Sequence, residues 1–275
     1  MSARTSTGPT PAPARRSKRR LALIAGQIAT LIAVLGAIEL LVRAGMVSSL
    51  YLPAPTDVAL EVRGLLRPGS EFYPNLFVTL QEFVTGYALA VVVGISVGLF
   101  LVLVPHAETF FRPFLAATMA IPKVTIVPLL TLWFGLGMSH KVVIVFLFCF
   151  FPIVYNTIAG VKQTSPDHLK VARAFRATRR QTIVKVILPS AIPTILAALR
   201  VEAASALVGA IFGEMIASRA GLGNSLSEAS SLYDTPKAFA YIILITLVSI
   251  TSVSIIDQLE KRVFLSWRPA STRLR

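Results

Sequence analysis

Long apolar runs separated by short charged connections dominate this chain, and the first of them sets what it can fold into. Leu21 to Val42 is 22 residues with Glu39 as its only charge. As a helix rising 1.5 Å per residue, such a run crosses a hydrocarbon core of about 30 Å. It is longer than a usual signal-peptide core and lacks a convincing cleavage site, so it reads as a retained first span. Further runs extend over approximately Thr79 to Val104, Arg112 to Phe134, Lys141 to Ala159, Ala191 to Ala217 and Ala238 to Asp257. The expected architecture is all-α, a polytopic membrane protein of about six transmembrane helices, and an even number of crossings puts both termini on one side.

That reading divides the chain into a disordered basic tail (1–20), the first transmembrane helix (21–46), an extracytoplasmic segment with an amphipathic helix (47–78), a transmembrane core (79–257) holding a cytoplasmic loop (160–190), and a basic C-terminal tail (258–275). In the second segment, Thr56 is placed to cap a surface helix after the turn at Pro53 and Pro55. Composition agrees: 55% of residues are hydrophobic, 15% are charged, and the mean hydropathy is +0.72. No water-soluble domain of ordinary balance has these values.

The net charge of +14 raises nucleic acid as a partner, but its distribution points to membrane lipid. Six Lys or Arg lie in the N-terminal tail, seven between Gly160 and Ser190, and five after Asp257, all on one face of a six-span protein. On the other face Arg43, Arg63 and Arg67 are offset by Asp57, Glu61 and Glu71, and Arg219 and Lys237 by Glu228 and Asp234. The positive-inside rule makes the basic face, and with it both termini, cytoplasmic.

The basic loop has local order written into it. Ser165 is placed to cap a helix with Pro166 at its first position and Asp167 in its first turn, and Leu169, Ala172 and Phe175 follow at helical spacing. Thr178 and Gln181 form a capping box for a second helix carrying Ile183, Val186 and Ile187. The spacing thus predicts two short helices with a turn near Arg176. An ordinary positive-inside loop is the plainer alternative.

Inside the spans, Glu39, Lys123, Arg200, Glu202 and Glu214 need partners, water or an interfacial position, because a charge at mid-bilayer costs roughly 3 kcal/mol on insertion scales. Pro122 and Pro128 flank Lys123 and should interrupt the third helix there. Lys123, Glu202 and Glu214 are therefore candidates for lining a path; the alternative for Lys123 is a snorkelling side chain. Ser205, Gly209 and Gly213 recur every four residues, as do Gly94 and Gly98, and such ridges serve more often as helix-packing surfaces than as ligand sites. Cys149 has no second cysteine to pair with, and His106, His140 and His168 fall in loops without metal-ligand spacing, so no metal site and no catalytic residue is expected.

The strings LPAPTDV, TLQEFVTGYALAVVVGISVGL, IPKVTIVPLLTLWFGLG, FFPIVYNTIAGV, the basic hairpin ending ILPSAIP, and GEMIASRAGLGNSL, in that order, resemble the permease subunits of ABC importers of the nitrate/sulfonate/taurine type, over Tyr51 to Arg268. The resemblance implies the type I importer permease fold and alternating access. It also implies a place in the plasma (inner) membrane of a prokaryote and these partners: cytoplasmic ATPase subunits, an extracytoplasmic solute-binding protein and a second permease copy in a homodimer. In such permeases the loop between the fourth and fifth spans docks on the ATPase through a motif written EAA, three residues, Gly, nine residues, I-x-L-P. Set on Leu188 and Pro189, that motif places Ala172 on its second Ala, Val171 on its first and Val186 on its Ile. Lys170 stands where Glu is usual and Arg176 where Gly is usual. Leu169, Lys170, Ala172, Phe175, Arg176, Leu188 and Pro189 are thus the implied coupling residues. The chain has no G-x-x-x-x-G-K-[ST] loop, so ATP and Mg belong to the partner ATPase and this chain binds no cofactor. The implied solute is nitrate, a sulfonate or taurine-like anion, or a heterocyclic vitamin precursor. Two rivals are weighed: a secondary transporter would show two matching halves with interrupted helices, where one interruption is visible, and an intramembrane enzyme needs a convergent catalytic set.

Overall fold

A computed structural model describes residues 13–265, with side chains from 23 to 262. Its elements are helices α1 (Pro13–Arg43), α2 (Pro55–Leu65), α3 (Phe72–Leu103), α4 (Ala107–Ala120), α5 (Val127–Phe134), α6 (Met138–Lys162), α7 (Pro166–Ala174), α8 (Arg179–Thr182), α9 (Leu188–Ala217), α10 (Leu222–Ser231) and α11 (Thr235–Leu265). There is no strand among the described residues. The all-α expectation holds. Helix α1 begins at Pro13, inside the stretch assigned to a tail; residues 1–12 and 266–275, the outer parts of both expected tails, lie outside the described residues.

The core is built from α3, α6 and α9, and its register follows from small residues. A Cβ placed on Gly86, Gly94 or Gly98 of α3 would lie 2.6–2.8 Å from Val145, Ile153 or Thr157 of α6. Only glycine lets the two backbones approach this closely. Each pair is 59 positions apart, so α3 and α6 run in the same direction. Contacts of α9 on α6 run the other way, from Gly160 beside Ala191 and Thr194 to Gly213 beside Ile144. Helix α9 is therefore antiparallel to α6, and α11, tied to it through Arg200 and Asp257, is antiparallel to α9.

Two parallel neighbours require the chain between them to cross back, and α4 with α5 does so. The pair starts at the basic end, where Glu108 meets Lys162 at 2.6 Å, and finishes at Leu136 and Gly137 beside Glu82 and Lys141 at the opposite end. It is bent by 83° at a short break. The cause is Ile121–Pro122: both residues are extended and the chain resumes as a 3-10 turn at Lys123–Ile126. Pro128 sits at the start of α5, where its missing N–H costs nothing. With this broken helix counted as one span, the structure has six.

Several expectations need correction. Thr56 does not cap α2; Ala54 occupies that position, and the Thr56 hydroxyl donates to Glu39 Oε1 at 2.7 Å. The fifth span does not begin at Ala191. From Arg179 to Ala217 the chain is one 39-residue helix, so the second arm of the expected hairpin is the first part of that span. Ile183–Ile187 widens into a π turn ahead of Pro189, whose ring has no N–H for the preceding turn. His140 lies in the first turn of α6, fully buried, rather than in a loop.

Candidate translocation and coupling sites

Three places along the bundle concentrate polar chemistry. The first is at mid-depth. Helix α6 contains Pro152, which has no N–H to offer the carbonyl of Phe148 four residues earlier. Lys123, projecting from the broken span, donates to that carbonyl at 2.7 Å and lies 5.6 Å from the centre of the Phe148 ring. One residue on, the Cys149 thiol donates to the Glu202 carbonyl of α9 at 3.2 Å. Consecutive residues of α6 thus hold Lys123 and Glu202, bringing two of the three path candidates together. Glu202 is 7% exposed and its Oε2 has no hydrogen-bond partner among the described residues.

Glu214, the third candidate, is instead enclosed near the end of the bundle opposite the basic loop. Thr79 donates to its Oε1 and the N–H of Gly223 to its Oε2, each at 2.6 Å. The carboxylate thereby serves the N-terminus of α10, where unsatisfied donors and the helix dipole favour negative charge. A side chain at Gly221, whose φ is +111°, would run into the Glu214 carboxyl, and one at Gly223 would come within 2.9 Å of its Cβ. Asn75 completes the clasp by accepting from Gly221 N–H at 2.8 Å and donating to Ser225 at 3.0 Å. In this structure Glu214 holds a connection rather than facing a path.

Beside it, Glu82 of α3 and Lys141 of α6 form an ion pair with both side chains at least 95% buried. Lys141 also donates to Ser218 at 2.8 Å. This pair was not among the sequence candidates: each charge lies at the start of its expected span, Thr79 to Val104 or Lys141 to Ala159, and nothing local links them. A cavity of about 260 Å³, lined by Gln81, Glu82, Lys141 and Arg219 among others, opens over it.

The third place is the basic hairpin. Ser165 accepts from Asp167 N–H, and Thr178 and Gln181 form the reciprocal capping box, as the spacing predicts. Helix α7 ends with Arg176 N–H on the Arg173 carbonyl and Ala177 N–H on the Ala172 carbonyl, both 2.9 Å. This is a Schellman closure, and Arg176 fills its left-handed position at φ 52°. Ala172 is buried and Leu169 half-buried, so these two do not share an outward face with Phe175. The exposed apolar pair is Val171 and Phe175, the latter 83% exposed. Lys170 and Arg176 are exposed beside them, while Leu188 and Pro189 are half-buried where the long helix joins the bundle.

Four of the glycines assigned to packing lie against α6. Gly94 and Gly98 fit α6 as described; Gly209 and Gly213 pack on Phe148 and Ile144 with Cβ distances of 3.0 and 3.1 Å. Ser205 is half-buried on the same helix. Among the described residues there is no cluster of three His, Cys, Asp or Glu able to hold a metal.

The structure is thus a six-span membrane bundle with a broken helix against its core and a capped basic hairpin at one end. Residues 90–265 match the family described as binding-protein-dependent transport system inner membrane component. The chain is 32% identical to the formylaminopyrimidine transport permease of Halalkalibacterium halodurans, over 82% of this chain and 90% of that relative. It is 28% identical to the taurine transport system permease of Escherichia coli, over 84% of each. The fold superposes on the solved inward-facing MetNI methionine ABC transporter with a TM-score of 0.60 at 17% identity, covering 71% of this chain and 95% of that one. The chain belongs to this family: it is a multi-pass inner-membrane permease subunit of an ABC importer for small solutes, of the sulfonate/taurine type.

Proposed function

We propose that two copies of this permease enclose a path for a small sulfonate-like anion or heterocyclic vitamin precursor, and that the hairpin couples the path to a cytoplasmic ATPase which holds the ATP and Mg. A solute-binding protein delivers the solute on the opposite face, and both termini lie with the hairpin in the cytoplasm. The observation that carries this reading is the hairpin itself. Its backbone is closed by its own caps, yet Val171 and Phe175 stand in the open at the end of the bundle, ringed by Lys170, Arg173, Arg176 and Arg180. An apolar anchor inside a charged rim is the form that an interface hot spot takes. Lys123 and Glu202 supply the polar lining at mid-depth, and the named relatives support the solute class.

Phe175→Ala is expected to weaken co-purification with the ATPase by well over tenfold, since removing a buried aromatic anchor costs on the order of 2 kcal/mol or more. Full assembly and full solute-stimulated hydrolysis in that variant would reduce the hairpin to an ordinary positive-inside loop.

A further inference from the structure

Buried charges in a bilayer need partners, and at mid-depth this structure leaves a carboxylate oxygen of Glu202 without one. Glu202 is 7% exposed, and its Oε2 is unpartnered among the described residues, although an ammonium group is bound at the neighbouring residue of α6. That ammonium, on Lys123, has three donors. It is engaged with a neutral acceptor, the Phe148 carbonyl released by Pro152, and with the Phe148 ring.

We infer that Lys123 and Glu202 form an ion pair in another state of the transport cycle, the ammonium leaving the Phe148 carbonyl for the Glu202 carboxylate as the broken span shifts against α9. Each side of the exchange has a stated acceptor. In the present state the proline defect of α6 satisfies the cation; in the other state the carboxylate does. The two groups belong to one neighbourhood, because Cys149 holds the Glu202 backbone next to the residue whose carbonyl Lys123 occupies. Lys123 also stands at the place where the span can move, as the first residue of the 3-10 turn after the 83° bend. Lys123 and Glu202 are thus positioning residues that give the broken helix two defined seats. The inference rests on the chain being a permease that cycles between states.

The test uses the permease co-purified with its ATPase subunit and reconstituted into lipid vesicles, with vanadate-sensitive ATP hydrolysis as the first readout. Lys123→Met and Glu202→Gln are each expected to lower hydrolysis about tenfold, and the double variant to fall no further than the worse single one, the mark of coupled residues. The exchanged variant Lys123→Glu with Glu202→Lys should regain severalfold over Lys123→Glu alone. Independent effects that multiply, or full hydrolysis in both single variants, would overturn the pair; a Lys123 that merely satisfies Phe148 gives the multiplying result. A second measurement covers variants that fail to assemble. With cysteines at 123 and 202 in a Cys149→Ala background, cross-linking by a short bifunctional methanethiosulfonate should differ severalfold between the nucleotide-free complex and the complex trapped with ATP and vanadate. Equal yields would overturn the inference. Failure of the wild-type chain to assemble with the ATPase would bring down the permease reading itself, and is distinguishable from every outcome above.

Discussion

Helices α1 and α3 are equally able to cross a bilayer, and they are held in opposite ways. None of the most apolar stretch of α1 is buried within the chain, and added Cβ atoms on its Gly26 and Gly36 would meet nothing within 4 Å. It joins the rest through one polar clasp, in which Glu39 and Arg43 meet Thr56 and Asp57 at 2.7–3.1 Å. On α3, every fourth position from Glu82 through Gly86, Ala90 and Gly94 to Gly98 is buried, and its three glycines touch α6. Hydropathy therefore decides that a helix enters the membrane, while small residues and buried charges decide what it packs against.

The sharpest way to break that comparison is to remove one charge from each clasp. Glu82→Ala strands Lys141 inside the core and is expected to destabilise the detergent-purified protein by about 3–5 kcal/mol. Replacing Glu82 with Leu and Lys141 with Met together should recover most of the loss. Glu39→Gln, in the half-exposed clasp of α1, is expected to lower the melting temperature far less, because solvent screens that pair. Thermal unfolding of all the variants is the measurement, and similar losses from Glu82→Ala and Glu39→Gln would refute the contrast.

A second pair concerns glycine. Gly98→Val forces α3 and α6 apart and should cost about 1–3 kcal/mol, whereas Gly36→Ala on α1 should cost nothing and gain up to about 1 kcal/mol from helix propensity. Equal melting temperatures for the two variants would show that the glycine ridge is not a packing surface.

The hairpin gives a smaller effect of opposite sign. Arg176→Gly relieves a left-handed residue and is expected to stabilise the protein by about 1 kcal/mol, seen as a higher midpoint in thermal unfolding.

Weakest is a pH effect where α3 begins. Lys237, 2.7 Å away, holds the Glu71 carboxylate below its usual range, with the Tyr241 hydroxyl also donating to it. The folded value is depressed, so this contribution is present above the unfolded carboxylate pKa and is lost as pH falls through the folded one. The melting temperatures of wild type and Glu71→Gln should converge over that acid range; a constant difference would exclude the linkage.

The sequence was most legible where the chemistry is local. Ser165, Thr178 and Gln181 act within three residues of themselves, and both caps form as their spacing requires. Pro122 likewise breaks the third span because its effect is on its own backbone. Distance in sequence is what hid the rest. Glu82 and Lys141 meet only after helices far apart in the chain pack, and Thr56 is drawn from capping by a glutamate 17 residues earlier. Periodicity grouped Leu169 with Ala172 and Phe175, but it carries no information about which face turns inward, and the protein buries Ala172 while exposing Val171 and Phe175. The GLG at Gly221 to Gly223 was the available signal for the Glu214 clasp, since two glycines bracket the place where its carboxylate lies.

The same-direction pairing of α3 with α6 has a consequence for how the protein is made. Lys141 follows Glu82 by 59 positions, and so does each facing residue in the row. At roughly 5–20 residues per second, a ribosome needs about 3–12 s to deliver the second helix after the first. During that interval the glycine row of α3 has no α6 to close on and its carboxylate has no ammonium. The broken span emerges meanwhile, between the two helices that must pair. The order of synthesis thus makes the burial of Glu82 and of the glycine row wait for α6, so this part of the core closes only after the broken span has been made.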